Sequence, residues 1–238
     1  MADGTITIDG QTVPFTEGQT IMQAAEAAGV YIAHLCHHPE FRPHGSCKLC
    51  TVKAGGRHVA ACTVPASDGL EVENESEELA AGRRALLQLL FVEGNHYCPF
   101  CERSGNCQLQ ALAYRYGMVE PHFPHFYPQR EVDASHPDVV LERNRCILCA
   151  LCVRASRDVD GKHVFDIVGR GIHARLAVNS ASGRLADTDL APGDRALEVC
   201  PVGAIIVRGR GFAVPIGERL YDHRPINEIG NRVPESEQ

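Results

Sequence analysis

The sequence predicts an α+β fold built from several small modules. Short strand signals surround one helix near the N-terminus, a longer helical period follows, and 11 Cys fall into three groups along the 238 residues. Hydrophobic residues make up 44% of the chain, but aromatic residues make up only 6%, and Trp is absent. A chain with so few large aromatic side chains needs another means of stabilising its cores, and bound metal is one such means.

The first module is predicted to consist of two β-hairpins packed on one helix. Asp9-Gly10 separates two short alternating segments, and such a pair is typical of a two-residue hairpin turn. Thr20 and Gly29 are residue types that begin and end helices. The predicted strands are residues 5–8, 12–15, 49–53, 57–60 and 70–73, and the predicted helix covers residues 20–28.

A second helix is predicted over residues 76–92. Its apolar residues recur with a period near 3.6, and core packing is the ordinary explanation of such a stripe. The stripe consists of Leu79, Arg83, Leu86, Leu87 and Leu90. The remaining predicted elements are a helix over residues 109–116 and strands at residues 163–168, 172–178 and 205–207.

Proline interrupts two segments of the chain. The Pro- and His-rich residues 121–137 exclude a continuous helix or a central strand, and predict a linker or a loop wrapped on another surface. Residues 209–238 have no core pattern and predict an extended arm. The predicted division is therefore a first module of residues 1–77, a helical module of residues 78–120, a linker of residues 121–137, a third module of residues 138–208, and an arm of residues 209–238.

Net charge and hydropathy limit the partners and the cellular location that the chain is expected to have. The net charge of −7 argues against nucleic acid or an anionic membrane as partner, because both require a basic face. No apolar run approaches the roughly 18–20 residues that span a bilayer, and the N-terminus lacks the pattern of a secretory signal. A cytoplasmic location is expected. In that reducing setting clustered Cys are metal ligands or catalytic thiols more often than disulfides, and an odd number cannot pair completely within one chain.

The first Cys group has the spacing C-x10-C-x2-C-x11-C. Three thiolates in one loop and a fourth from a later segment suit a flat 2Fe–2S cluster, and Gly45 lets backbone N–H groups turn toward the sulfides. The preceding hairpin and helix are what a ferredoxin β-grasp fold places before its cluster loop. Structural zinc is the alternative, although zinc sites usually pair two C-x2-C motifs. The predicted ligands are Cys36, Cys47, Cys50 and Cys62.

The second group has three Cys in the spacing C-x2-C-x5-C, preceded by His96. Three thiolates leave one iron of a 4Fe–4S cubane without a protein ligand, and His96 is the nearest candidate for the fourth. A neutral imidazole removes one negative charge and should raise the reduction potential. A zinc site with the same donors is the alternative. The predicted ligands are His96, Cys98, Cys101 and Cys107.

The third group is a C-x2-C-x2-C triplet with a distant Cys-Pro pair, the spacing typical of bacterial 4Fe–4S ferredoxins. The predicted ligands of a second cubane are Cys146, Cys149, Cys152 and Cys200. The three groups use all 11 Cys, so no thiol is left for catalysis and no catalytic residue is assigned.

The other histidines are expected to be ordinary. Three histidines flank Cys36: His34, His37 and His38. They could donate hydrogen bonds to the cluster, but surface positions are the favoured prediction. A mononuclear metal site in the Pro-rich segment is not expected. The histidines of that segment are His122, His125 and His136.

The order of these groups resembles the N-terminal portion of the large iron–sulfur subunit of respiratory complex I. It is more similar to the small diaphorase subunit of NAD-reducing nickel–iron hydrogenases, and the tail carries similar strings, Gly211-Phe212 and Tyr221-Asp222. The complex I pattern is His-x3-Cys, whereas this chain has Gly94 at that position and His96 two residues before Cys98. The complex I subunit continues far beyond this region, whereas this sequence ends at residue 238, as expected of the hydrogenase subunit.

The resemblance implies an electron relay in a hetero-oligomer. The 2Fe–2S cluster would face a flavin subunit that binds NAD(H), the Cys146 cubane would follow, and the His96 cubane would face the small subunit of a small and large nickel–iron hydrogenase pair. NAD chemistry would belong to partners, because residues 168–171 lack the third glycine of a dinucleotide fingerprint. The alternatives are a wiring subunit of a complex I-like, formate dehydrogenase or iron-only hydrogenase assembly, and, from another class, a zinc-stabilised interaction protein.

Overall fold

The computed structural model describes residues 3–120 and 122–232. The chain divides into two compact units, Met1–Leu87 and Gln88–Gln238. This division is coarser than the five-part division inferred from the sequence, which stays a prediction. Pro121 of the predicted linker and residues 233–238 of the predicted arm lie outside the described residues. In the part of the chain that the structure describes, no helix is both long and apolar enough to cross a membrane.

The first unit is a mixed five-stranded sheet in the order β2-β1-β5-β3-β4. β1 and β2 are antiparallel, β5 is parallel to β1, and β3 is antiparallel to both β4 and β5. Asp9 and Gly10 both have positive φ, at 48° and 83°, as a two-residue hairpin turn of this hand requires. The strands are β1 (Gly4–Ile8), β2 (Gln11–Phe15), β3 (Thr51–Ala54), β4 (Arg57–Ala60) and β5 (Glu71–Glu73).

Helix α1 (Ile21–Ala27) packs on this sheet. Thr20 caps it, because its hydroxyl accepts from the Gln23 N–H while the Gln23 side chain accepts from the Thr20 N–H. Its buried face joins the inward side chains of the strands in one apolar core. The predicted hairpin and helix are confirmed, and the strand predicted at residues 49–53 begins only at Thr51 because residues 49–50 form a turn.

Helix α2 (Glu77–Val92) follows β5, and the division into units falls inside it. Three residues of its predicted stripe, Leu79, Arg83 and Leu87, are buried, and the other two, Leu86 and Leu90, are half-buried. The N-terminus is held by Ser76, whose hydroxyl accepts from the Leu79 N–H.

The second unit holds two small antiparallel sheets and four short helices besides the end of α2. One sheet has the order β10-β7-β6, and the other pairs β8 with β9. Helix α4 packs against α5 and β8, and α3 packs against α6. The helices are α3 (Gln108–Arg115), α4 (Leu151–Asp158), α5 (Arg195–Glu198) and α6 (Ile226–Ile229). The strands are β6 (Val132–Asp133), β7 (Val139–Glu142), β8 (Phe165–Val168), β9 (Arg175–Val178) and β10 (Ile205–Val207).

Two segments are more ordered than the sequence predicts. The segment 122–137 contributes β6 as an edge strand, and its Asp133 and His136 are buried. The described part of the predicted arm, residues 209–232, is rich in turns and carries α6 rather than running as an extended arm. The reason is a pair of apolar residues three positions apart, Ile226 and Ile229, whose burial ties α6 to α3.

Candidate iron–sulfur sites

The four Cys of the first group come together at one edge of the first unit's core. The Cys50 and Cys62 sulfurs are 3.4 Å apart, and the Cys47 N–H donates to the Cys36 sulfur at 3.5 Å. Cys36, Cys50 and Cys62 are buried, and Cys47 is half-buried. All four donors of the predicted set therefore share one location.

Strand ends and tight turns place these thiols. Cys50 directly precedes β3, and Cys62 lies in the turn after β4, where the Ala61 N–H donates to the Cys50 carbonyl. The loop before β3 turns sharply at Gly45 and Lys48, with φ of 68° and 57°. Such positive φ values are readily adopted by glycine and uncommon for lysine, so the loop around the thiols includes an unfavourable backbone conformation at Lys48.

Hydrogen bonds among the thiols divide them into proton donors and acceptors. The Cys47 side chain and backbone both donate to Cys36 and lower the pKa of the Cys36 thiol, whereas the same interaction raises the pKa of Cys47. In the second pair, Cys50 donates to Cys62, which raises the pKa of Cys50 and lowers that of Cys62. These four thiols would lose the shared protons on holding iron, because the thiolate is the form that binds a metal.

Two histidines beside Cys36 are buried, and the favoured surface positions were wrong for them. His34 is 7% exposed and His37 is 4% exposed, and their rings meet edge to face with centroids 5.2 Å apart. Burial lowers the pKa of His34 to about 4, and one of its ring nitrogens lies 2.8 Å from the Ile32 carbonyl. His37 Nε2 lies 3.1 Å from a carboxylate oxygen of Glu26 on α1.

The second group surrounds one small cavity in the second unit. Burial raises the pKa of the Cys107 thiol, which directly precedes α3, to about 12, and it also raises the pKa of Cys98. Buried thiols with raised pKa values hold their protons at neutral pH until a metal displaces them. The cavity is lined by Phe91, His96, Cys98, Cys101, Ser104, Cys107, Leu109, Gln110, Arg145 and Gly203.

His96 presents a free ring nitrogen at this cavity. Its Nε2 is buried and has no hydrogen-bond partner among the residues that the structure describes, while the backbone of Leu90 hydrogen-bonds to the ring. Burial, followed by the charges of Arg145 and Arg130, lowers the pKa of His96 to about 4, so the imidazole is neutral near pH 7. A neutral imidazole with one nitrogen engaged and the other unpaired has the form of a metal ligand.

Glycine at position 94 makes room for that ring. A Cβ at Gly94 would lie 2.6 Å from His96 Nε2 and 2.7 Å from the Asn144 carbonyl oxygen. The imidazole therefore occupies the space that a side chain at position 94 would need. The ring of His96 reaches back over Gly94, the position at which the complex I pattern places its histidine.

The four Cys of the third group line another cavity, enclosed by Ile167, Leu176, Val202 and Ile205. Burial raises the pKa of Cys146 to about 11 and raises the pKa of Cys152 well above its ordinary value. The triplet loop turns through positive φ at Leu148 and Ala150, and Cys152 then enters α4 while Cys200 follows α5. An apolar enclosure around four thiols fits a cubane whose potential depends on exclusion of water.

One short segment, residues 200–203, touches both cavities. A Cβ at Gly203 would lie 2.8 Å from the Cys101 sulfur, and the Gln108 N–H donates to the Pro201 carbonyl at 3.0 Å. The Arg103 guanidinium donates to the Cys200 carbonyl at 3.4 Å. The backbone that carries the last thiol of the third group thus packs directly on a thiol of the second.

The donors of the second and third groups are arranged around cavities rather than around single points. Over residues 3–120 and 122–232, no group of three or more His, Cys, Asp or Glu side chains is placed to hold a single metal ion. Structural zinc requires four donors within about 2.0–2.3 Å of one point. Donors that line a cavity fit a polynuclear cluster better, and the second and third predicted sets meet that test.

Comparison with known proteins agrees with this order of sites. Residues 4–77 match a model described as a 2Fe-2S iron-sulfur cluster binding domain, and residues 139–207 match a 4Fe-4S single cluster domain. Residues 83–122 match the iron-sulfur binding region of NADH-ubiquinone oxidoreductase-G. The α+β fold and the prediction of one 2Fe–2S and two 4Fe–4S clusters are confirmed.

One similar protein aligns along almost the full length. The gamma subunit of the NAD-reducing hydrogenase HoxS of Cupriavidus necator is 41% identical over 98% of this chain and 97% of its own. The 78 kDa subunit of mitochondrial NADH-ubiquinone oxidoreductase from Candida albicans is 32% identical over 89% of this chain, which spans only 29% of that subunit.

A solved structure gives the same result. A chain from the crystal structure of an NAD+-reducing [NiFe]-hydrogenase in the H2-reduced state superposes with a TM-score of 0.94. It is 56% identical, and the match covers 97% of this chain and 98% of that one. Similarity along nearly the full length, the shared fold and the three iron–sulfur domains lead to one conclusion: this chain belongs to the family of the gamma subunits of NAD-reducing hydrogenases, which transfer electrons through iron–sulfur clusters.

Proposed function

We propose that this chain relays electrons between a flavin subunit that binds NAD(H) and a nickel–iron hydrogenase pair. The observation that carries the proposal is the packing of residues 200–203 against both cubane cavities, since electron transfer between two clusters requires their ligands to lie close together. Two of the similar proteins, the HoxS gamma subunit and the chain of the solved [NiFe]-hydrogenase, belong to NAD-reducing hydrogenases, which supports H2 as electron donor and NAD+ as acceptor, with the flow reversible.

The proposed ligands are those named from the sequence. Cys36, Cys47, Cys50 and Cys62 hold the 2Fe–2S cluster. His96, Cys98, Cys101 and Cys107 hold one 4Fe–4S cluster, and Cys146, Cys149, Cys152 and Cys200 hold the other. The clusters supply the one-electron chemistry when bound. The chain's own part is to position thiolates, to exclude water and to set the charge around each site.

The proposed order of the centres, counted from the flavin subunit, is the 2Fe–2S cluster, then the Cys146 cubane, and then the His96 cubane; electrons from H2 would pass along it toward the flavin subunit. The last of these would face the small hydrogenase subunit, with the large subunit beyond it. The contact between Gly203 and the Cys101 sulfur supports the final internal step, because it puts the two cubane sites side by side. A cytoplasmic location is proposed, because reducing conditions keep Cys ligands from forming disulfides.

A wiring role in a complex I-like assembly is the second candidate. The 32% identity to the 78 kDa subunit of NADH-ubiquinone oxidoreductase favours it. Both candidates share the three clusters and differ in the partner that exchanges electrons with the His96 cubane. The choice between them is therefore a question about the partner.

Anaerobic purification of the native complex through a tag on this chain separates the two candidates. The proposal expects a flavoprotein and two hydrogenase subunits to co-purify and the eluate to reduce NAD+ with H2. Co-purification of quinone-reducing membrane subunits, with no H2-dependent NAD+ reduction, would establish the second candidate instead.

A further inference from the structure

Arg83 is a fully buried cation in the core of the first unit. It lies in the leucine-rich stripe of α2 and is only 1% exposed. Removing a guanidinium from water is costly unless its N–H groups find acceptors. A leucine would fill the same stripe without that cost, so the charge and the donors of Arg83 require an explanation.

The guanidinium donates to the backbone on both sides of Cys50. Its Nε donates to the Leu49 carbonyl and its Nη2 to the Thr51 carbonyl, each at 3.0 Å. Because the peptide group is planar and trans, holding the Leu49 carbonyl also fixes the direction of the Cys50 N–H. One side chain of α2 thus fixes the backbone that carries a proposed cluster ligand.

Asn74 holds the guanidinium in this position. Its backbone carbonyl accepts from Nη1 at 2.9 Å and its side-chain oxygen accepts from Nη2 at 2.8 Å. Asn74 is itself buried; its amide donates to the Tyr31 carbonyl and its N–H to the Asp9 carboxylate. The rigid fork of arginine is matched to acceptors on two sides, which a lysine cannot reproduce.

We propose that Arg83 is a positioning residue of the 2Fe–2S site, which holds the Cys50 segment and favours the reduced cluster through its charge. The inference rests on the proposed ligand set. A 2Fe–2S cluster with four thiolates carries two negative charges when oxidised and three when reduced. A buried cation held on the carbonyls that flank Cys50 would stabilise the more negative form and raise the reduction potential.

The test is a redox titration of the native complex followed by EPR. Arg83→Gln removes the charge, and Arg83→Lys keeps the charge without the fork. The inference expects Arg83→Gln to shift the 2Fe–2S midpoint potential to a more negative value. Arg83→Lys should stay close to the wild type in potential but change the shape of the 2Fe–2S signal. Arg84→Gln, which makes the same charge change at the exposed neighbour on α2, should leave both unchanged.

Results that would overturn the Arg83 inference can be distinguished from a result that would refute the proposed function. An intact 2Fe–2S signal in Arg83→Gln with the potential of Arg84→Gln would overturn the inference. Loss of that signal from both Arg83 variants would also overturn it, because Arg83 would then serve folding only. A wild-type complex without any 2Fe–2S signal would instead refute the proposed function. The two 4Fe–4S signals serve as internal controls in every variant.

Discussion

The imidazole of His96 occupies the space directly over Gly94. A side-chain carbon at position 94 would lie 2.6 Å from the buried, unpaired Nε2. The two residues therefore constrain each other: histidine at 96 can present its nitrogen to the cavity only while position 94 lacks a side chain. This pairing is consistent with the proposal that His96 is a cluster ligand, two residues closer to the first Cys of its group than the histidine of the complex I pattern.

Gly94→Ala should displace His96 and damage the cubane of the second group. Disturbance of a metal ligand's support commonly costs about 10- to 100-fold in affinity or activity, and a loss of that size is expected in H2-dependent NAD+ reduction. The measurement pairs that assay with the EPR signal of the His-ligated cubane. Gly82→Ala is the control, because a Cβ there meets nothing within 4 Å. Equal behaviour of the two variants would refute the ligand role of His96.

Cys149→Ala should remove one cubane-type EPR signal and leave the 2Fe–2S signal in place. The reason is that Cys149 belongs to the enclosed third cavity, whereas the 2Fe–2S ligands lie in the other unit. Electron transfer through the complex should fall to background. A spectrum identical to that of the wild type would show that the third group holds no cluster.

Gly203→Ala should slow electron transfer between the two cubane sites. The added carbon would meet the Cys101 sulfur at 2.8 Å, and overpacking of this kind typically costs about 1–3 kcal/mol of stability. The expected result is slower H2-dependent NAD+ reduction while both cubane signals can still be detected. Gly193→Ala, with open space around its Cβ, should have wild-type activity. Wild-type turnover in Gly203→Ala would contradict the close contact.

Asp133→Asn should destabilise the second unit. Burial raises the pKa of Asp133, but hydrogen bonds from Ser135 and the Leu185 N–H outweigh it and leave the pKa below its usual value. A carboxyl group with a lowered pKa stabilises the fold above its ordinary pKa, and this contribution is lost as the pH falls below that value.

The free energy of unfolding of the variant should be about 1–3 kcal/mol lower than that of the wild type at neutral pH, as expected for a disrupted buried hydrogen-bond network. The difference from the wild type should shrink as the pH falls below 3.8, the ordinary pKa of the group. Denaturant unfolding of the full chain across that range measures both effects. A difference in the free energy of unfolding that is independent of pH would show that the Asp133 charge contributes nothing to stability.

The grouping of the cysteines could be predicted because most members of each group are local in sequence, whereas their role as ligands stays a prediction. The spacing of Cys146, Cys149 and Cys152 alone indicates a cubane, and Asp9-Gly10 alone indicates a hairpin turn. His34 and His37 could not be placed in the same way, since their burial depends on packing and on a distant carboxylate, that of Glu26 on α1.

Long-range packing also explains the other differences. Nothing near Gly203 in the sequence shows that it meets the Cys101 sulfur, because that contact joins segments about a hundred residues apart. Arg83 was recognised only as a member of a core stripe, since its acceptors come from the loops around Leu49 and Asn74. Ile226 and Ile229 give too short an apolar pattern to predict α6 without knowledge of α3.

Iron and acid-labile sulfide analysis of the purified full chain tests the central claim most directly. Three clusters of the proposed types require about ten iron and ten sulfide per chain. Reductive titration should then resolve three separate paramagnetic centres. Stoichiometric zinc without sulfide, or fewer than three reducible clusters in the fully loaded chain, would contradict an electron relay through this protein.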